Sequence, residues 1–142
     1  VTLDPVGGLP DNVRRTLPGY VLNAKVQTTS PTPNSTTGSI SPLLTFDKVT
    51  FDGGPYWVDF HVSNVAMTAA TSLNFYVLEN GVSLTDGQVV ICNTAGNMIA
   101  LLWTIAPSAG PHSLVIGWQP GAGTASINPG GSGYIKARIV KG

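Results

Sequence analysis

The stretch 97–107, NMIALLWTIAP, decides what kind of fold this chain adopts. Read with the two-residue period of a strand, Met98, Ala100 and Leu102 point to one face, and Ile99, Leu101, Trp103 and Ile105 point to the other. A strand in a two-layered β protein usually keeps one face wet, so a strand that is apolar on both faces needs a second cover. HSLVIGWQ from His112 repeats the pattern: Leu114, Ile116 and Trp118 fill one face, Val115 and Gly117 lie on the other, and no charged side chain appears. GYIKARIV from Gly133 is the contrast, with Ile135, Ala137 and Ile139 facing in while Lys136 and Arg138 face water.

Around these three segments the chain has the composition of an all-β domain. Its 142 residues suffice for one domain that buries roughly 68% of its unfolded surface. The 17 glycines and 11 prolines fall between short runs rich in β-branched and aromatic residues, as frequent turns require. Further strands are expected from Tyr20 (YVLNAKVQT), Leu43 (LLTFDKVTF), Tyr56 (YWVDFHVS), Ser72 (SLNFYVLEN), Gln88 (QVVICN) and Gly123 (GTASI). Turn signals such as DGG, ENG, TDG, TAGN, PSAGP and NPGGSG separate them. The expected architecture is an antiparallel jelly-roll β-sandwich of eight to nine strands over residues 20–142. Residues 1–19, with several prolines and glycines and no sustained periodicity, are expected to form an extended N-terminal arm, and TTSPTPNSTTGSIS (28–41) an exposed connection.

Charge excludes some partners. Seven Lys and Arg balance seven Asp and Glu, so no strong field favours nucleic acid or an anionic membrane. No apolar run approaches the eighteen residues of a membrane span, and VTLDPVGGLP lacks the regions of a signal peptide, so no membrane insertion is expected. The opening Val fits a removed initiator Met or a fragment of a longer chain. Cys92, alone in VVIC, reads as a buried small hydrophobe.

The chain is poor in catalytic material. His61 and His112 are its only histidines, and although Asp59 or Asp47 and a serine would complete a triad on paper, no G-x-S-x-G elbow supports one. Asp59 and His61 share a strand face without a third ligand at metal-site spacing, and Asp52 and Asp86 sit in turn sequences. The glycine-rich GAGTASINPGGSG lacks the lysine and the helix of a phosphate loop. No enzyme, metal or cofactor is expected. Among the aromatics, Tyr56, Trp57 and Tyr134 are candidates for a platform on which a sugar ring stacks, with Tyr76, Trp103 and Trp118 as further rings in or beside strands that a β core would also claim.

A sandwich of this size has one internal core, so the two-sided strands predict either a subunit contact or cover by an arm or loop of the same chain. The candidate contact residues are Met98, Ala100, Leu102, Val115 and Trp118. In the arm, Leu3, Leu9, Val13 and Leu17 together with the basic pair Arg14 and Arg15 suit docking along another protein's surface.

The order PGYVLNAKVQ, FDGGPYWVDFHV, FYVLENGVSL, TIAPSAGPHSLVIGWQPGAGTASI and GGSGYIKARIV resembles the small jelly-roll domains of bacteriophage virion proteins, which are similar in fold to tumour-necrosis-factor-like trimers. The resemblance covers residues 18–142 and is carried most by PSAGPHSLVIGW and the closing ARIVKG. It implies a homotrimer with its inner sheet around a threefold axis, exposed on the virion surface after assembly in the host cytoplasm and bound to a phage capsid or tail protein. No collagen-like or heptad shaft precedes the domain, so the expectation is a capsid decoration or short head-fibre protein attached by its arm. A receptor-binding domain of a tail fibre or tail tip that recognises a host surface glycan is the alternative, and a secreted carbohydrate-binding module the third.

Overall fold

A computed structural model describes residues 11–127 and 134–142. Twelve strands form among them, all paired antiparallel. Eight carry the architecture: β1 (Val21–Gln27), β2 (Ser41–Thr45), β4 (Tyr56–Met67), β5 (Thr71–Glu79), β7 (Gln88–Cys92), β8 (Asn97–Ile105), β10 (Leu114–Pro120) and β12 (Ile135–Lys141). β3 (Val49–Phe51), β6 (Val82–Ser83), β9 (Gly110–His112) and β11 (Ala125–Ile127) are short additions.

In the first sheet the order is β1-β12-β4-β8, with β11 following β12 along the same flank of β4. The second runs β2-β10-β5-β7, with β6 beyond β7 on the same flank of β5. Consecutive long strands mostly alternate between the sheets, which is the winding of a jelly roll. The chain is an all-β antiparallel sandwich; eight of the nine candidate segments hold its eight long strands, and GTASI holds the short β11.

The alternation seen in the sequence sets the core. Val58, Phe60 and Val62 of β4 and Ile135, Ala137 and Ile139 of β12 meet Leu73, Phe75 and Val77 of β5 and Leu114, Ile116 and Trp118 of β10, all buried. Phe60 lies between Phe75 and Trp103, with ring centroids 5.1 and 6.2 Å away. Cys92 is buried in this core, as its apolar run predicts, and desolvation pushes its thiol pKa up.

Several boundaries differ from expectation. LLTFDKVTF is two strands, because after β2 the chain turns so that Phe46 and Phe51 are both buried, and β3 pairs with β9 in a separate ribbon. YWVDFHVS continues to Met67 through an irregularity at Asn64, which takes a φ of 59°. Within the expected arm, Asp11–Arg14 form one helical turn, α1, and Thr16 and Leu17 donate to the carbonyls of Val13 and Arg14. The end of this segment is tied to the sandwich, since Gly19 donates to the Lys141 carbonyl and Lys141 donates to that of Tyr20.

The connection 28–41 holds an anchor that its polar composition conceals. Asn34 is buried; its side-chain amide donates to the Trp118 carbonyl at 3.1 Å, and its Oδ1 accepts from Thr36 N at 2.9 Å and Ser41 Oγ at 3.4 Å. Its backbone exchanges two hydrogen bonds with Ala125. Asn34→Ala leaves buried polar groups unmade, so a loss of about 1–3 kcal/mol is expected in denaturant unfolding, against near-neutral Ser35→Ala beside it.

Candidate functional site

The second face of β10 is covered by the chain itself. A Cβ placed on Gly117 would lie 2.5 Å from Ile40 Cγ2 and 2.8 Å from Leu78 Cδ1, so the glycine is required where the loop packs over the sheet. Intrachain cover is therefore the answer for HSLVIGWQ. Trp118, expected at a subunit contact, is only 2% exposed and lies on the inner face with Leu114 and Ile116; its place is the sandwich core. Val115 is on the opposite face and is half-buried.

The second face of β8 has no such cover among the described residues. Met98 is 82% and Leu102 54% exposed, with Ala100 and Thr104 exposed between and beside them. Register fixes what lies next to this stripe. Leu102 pairs with Asp59 and Ala100 with His61 on β4; Asp59 pairs with Arg138 and His61 with Lys136 on β12; Arg138 pairs with Ala24 and Lys136 with Val26 on β1. Of the ten exposed large hydrophobic side chains among the described residues, Val21, Val26, Trp57, Met98, Leu102 and Tyr134 belong to the outer face of this first sheet or its rim, so exposed apolar surface is concentrated here.

Polar groups run through the middle of the face. Asp59 Oδ2 accepts from both Arg138 Nε at 3.0 Å and Nη2 at 2.6 Å, and the carboxylate raises the guanidinium pKa further. Lys136 has no ion-pair partner among the described residues. At one end of this polar lane stands Trp57, 45% exposed, and at the other Tyr134, 44% exposed, whose N–H donates to Ser63 Oγ at 3.1 Å. Beside Tyr134 two adjoining clefts of 110 and 350 Å³ share Ser63, Met98 and Tyr134, and the smaller reaches His61. Tyr56, expected as a third sugar platform, is buried: Phe51 meets its ring edge-on at 4.8 Å and Lys141 Nζ stands 4.8 Å from its centroid. Of the other rings, Trp103 is buried and Tyr76 half-buried.

That lysine closes one end of the sandwich. Lys141 Nζ donates to Asp52 at 2.9 and 3.0 Å, and Asp52 Oδ1 accepts from Gly54 N at 2.9 Å, which makes Asp52 the turn residue its DGG context predicts. Lys141, followed by the Gly54 N–H, holds the Asp52 carboxyl below its ordinary range, as Lys25 and Asn23 do for Asp47. A depressed carboxylate stabilises the fold above its unfolded pKa of about 3.9, and that contribution fades as pH falls through the folded value. Tm should therefore drop below about pH 4, and Asp52→Asn should flatten that acid limb in a pH series of thermal melts.

His112 meets a carboxylate, though neither of the two that a triad on paper would use. Its Nδ1 lies 2.7 and 2.9 Å from the Glu79 oxygens, and its Nε2 lies 2.9 Å from the Ser108 carbonyl and 3.3 Å from Ser108 Oγ. Ser, His and Glu are thus in line, but the shorter contact of Nε2 is to a carbonyl, an acceptor only. Both ring nitrogens lie against acceptors, the Glu79 carboxylate at Nδ1 and the Ser108 carbonyl at Nε2, and the ring ties the 108–112 turn to β5. Among the described residues no group of three His, Cys, Asp or Glu is placed to hold a metal.

In the arm, Val13 and Arg14 are half-buried and Arg15 and Leu17 exposed, with Arg15 and Thr16 bordering a cleft beside Phe51, Asp52 and Tyr56. Leu3 and Leu9 lie outside the described residues.

The fold and this face define a jelly-roll sandwich with one exposed, partly apolar sheet. No family model matches the chain, and no curated protein matches it. Among solved structures it is similar to a carbohydrate binding module (CBM6cm-2) from Cellvibrio mixtus lichenase 5A in complex with cellotriose, at 19% identity over 88% of this chain and 92% of that one, with a TM-score of 0.39. It is also similar to the EclA C-terminal domain, a sugar-binding protein, at 13% identity over 98% of this chain and 89% of the other, with a TM-score of 0.40.

Proposed function

We propose that the protein is a non-enzymatic structural subunit of a bacteriophage particle, a homotrimer displayed on the virion surface as a capsid decoration or short head fibre, with its N-terminal arm bound to a phage capsid or tail protein. The observation that carries the assembly is the bare outer stripe of β8, where Met98, Ala100 and Leu102 present apolar surface with no charge among them. A second copy is the economical cover for such a face. The virion setting rests on the resemblance of residues 18–142, with a winding of two four-stranded sheets that suits it. Light scattering of the purified protein should give three times the chain mass, and labelled copies should decorate the whole capsid; a monomer, or label confined to the tail tip, refutes one half of the reading each.

A second reading, glycan recognition, is favoured by one observation: Trp57 and Tyr134 are exposed at the two ends of the polar lane that holds Asp59, His61 and Arg138. Aromatic faces with hydrogen-bonding groups between them suit sugar rings. The two readings compete for one surface. Binding to immobilised host glycans that is lost in both Trp57→Ala and Tyr134→Ala, in a protein of monomer mass, would establish the second and exclude the first.

A further inference from the structure

Resting on the glycan reading, we infer that the Tyr134 end of the outer face is a subsite for one acidic sugar, a pyranose with a single carboxylate, its ring against Tyr134 and its charge on Lys136. Ala100, His61 and Lys136 pair in register across β8, β4 and β12 and so form one row. Two residues further along the same strands stand Met98, Ser63 and Tyr134, where β4 breaks its pairing with β8 and Asn64 takes its φ of 59°. Residues two apart on a strand share a face, so the rows are neighbours about 7 Å apart. Met98 and Tyr134 are large, while Ser63 between them and Ala100 in the next row are small. The difference in height leaves the two clefts that share Ser63, Met98 and Tyr134, the larger of 350 Å³. That size is at the small end of the range for ligand sites, about 300–1,000 Å³, and suits one ring rather than a chain.

The polar groups around this cleft are uncommitted. His61, Lys136 and the Tyr134 hydroxyl have no hydrogen-bond or ion-pair partner among the described residues. Lys25 and Lys141, by contrast, are held by Asp47 and Asp52 at 2.6 and 2.9 Å. On the far side of the Lys136 row, Asp59 pairs with Arg138 and offsets its charge, so the excess over these rows is one positive charge, on Lys136. A single ammonium matches a single carboxylate and leaves no second cation for a phosphate dianion. The His61 ring in the same row adds a hydrogen-bond donor, and Tyr134 supplies the apolar face on which the C–H side of a pyranose packs. Trp57 lies too far away to share that ring. From Trp57 to Ser63 is about 20 Å of strand, and the residues paired with Trp57, Thr104 and Val140, carry no charge.

NMR titration of the isotope-labelled protein tests the subsite. The probes are the methyl glycosides of glucuronic, galacturonic and N-acetylneuraminic acid, each beside its methyl ester, which keeps the ring and removes the charge. At least one acid should shift the amides of Ser63, Ala100, Tyr134 and Lys136 and bind about two- to fivefold tighter than its ester, the gain that one exposed ion pair carries. Lys136→Gln should bring that acid down to the affinity of the ester, Tyr134→Ala should weaken both, and added salt should narrow the gap between them. Both residues are exposed, so neither variant disturbs the core. Esters that bind as tightly as every acid, a preference that survives Lys136→Gln, or shifts centred on Trp57 would overturn the subsite and leave the glycan reading standing. So would a failure of all these sugars to bind in a protein that still captures immobilised host glycans. Failure to capture any glycan would overturn both.

Discussion

Leu102→Asp should convert the proposed trimer into folded monomers, whereas Ile99→Asp, three residues earlier on the same strand, should unfold the chain. Ile99 points into the sandwich and is buried, so a carboxylate there has no water and no cation. An unpaired buried ion costs several kcal/mol, a large part of a total stability of about 5–15 kcal/mol. Leu102 points the other way and is 54% exposed in the single chain, so the monomer tolerates Asp there. In the proposed assembly three such carboxylates would be buried at once, and each 1.4 kcal/mol is a tenfold loss in association. Circular dichroism should show an unchanged sheet spectrum for Leu102→Asp while light scattering falls to one chain mass. Leu102→Lys separates burial from repulsion, because Asp59 opposite repels Asp and attracts Lys. Dissociation by both variants points to burial. If Leu102→Asp keeps the trimer mass, the β8 face is no subunit contact.

The period-two pattern made most of this legible in the sequence. Ile99, Trp103 and Ile105 are inside and Met98, Ala100 and Leu102 outside, as the alternation requires, and Lys136 and Arg138 face out between inward Ile135, Ala137 and Ile139. Alternation assigns residues to faces but says nothing of what covers a face. For that reason β8 and β10 look alike in sequence and differ in the fold, where Ile40 and Leu78 close over Gly117 while nothing among the described residues covers β8. Ile40 comes from a loop whose remaining residues are almost all polar, and the loop is placed by Asn34, a residue type that usually signals a solvated turn. Tyr56, a candidate platform in the sequence, stands next to Trp57 along the strand but not on its face. Adjacent strand residues face opposite ways, so exposure of Trp57 entails burial of Tyr56. The His112–Glu79 contact joins residues 33 apart through the pairing of β5 with β10, which no local spacing encodes.

Removing residues 1–18 should leave a trimer of unchanged fold that no longer joins the particle. The cut keeps Gly19 and Tyr20, whose backbone hydrogen bonds to Lys141 fasten the first strand to the last, and it removes a segment whose described part is mostly exposed. The arm carries Leu3, Leu9, Val13 and Leu17 beside Arg14 and Arg15, a mixture of apolar and cationic side chains suited to an interface and of little use to a sandwich already closed by its own strands. The proposed trimer would carry three arms. Once one is bound the others search a small volume, so a weak individual contact is amplified by about 10² or more, and its loss should be correspondingly complete. Replacing Arg14 and Arg15 with Gln should weaken attachment less than truncation does, and should reduce its sensitivity to salt, because the remaining contact is apolar and unscreened. Particle binding by labelled trimers at two ionic strengths measures both effects. Normal incorporation of the truncated trimer would remove the arm from attachment, and failure of the truncated chain to assemble would make residues 11–18 part of the domain.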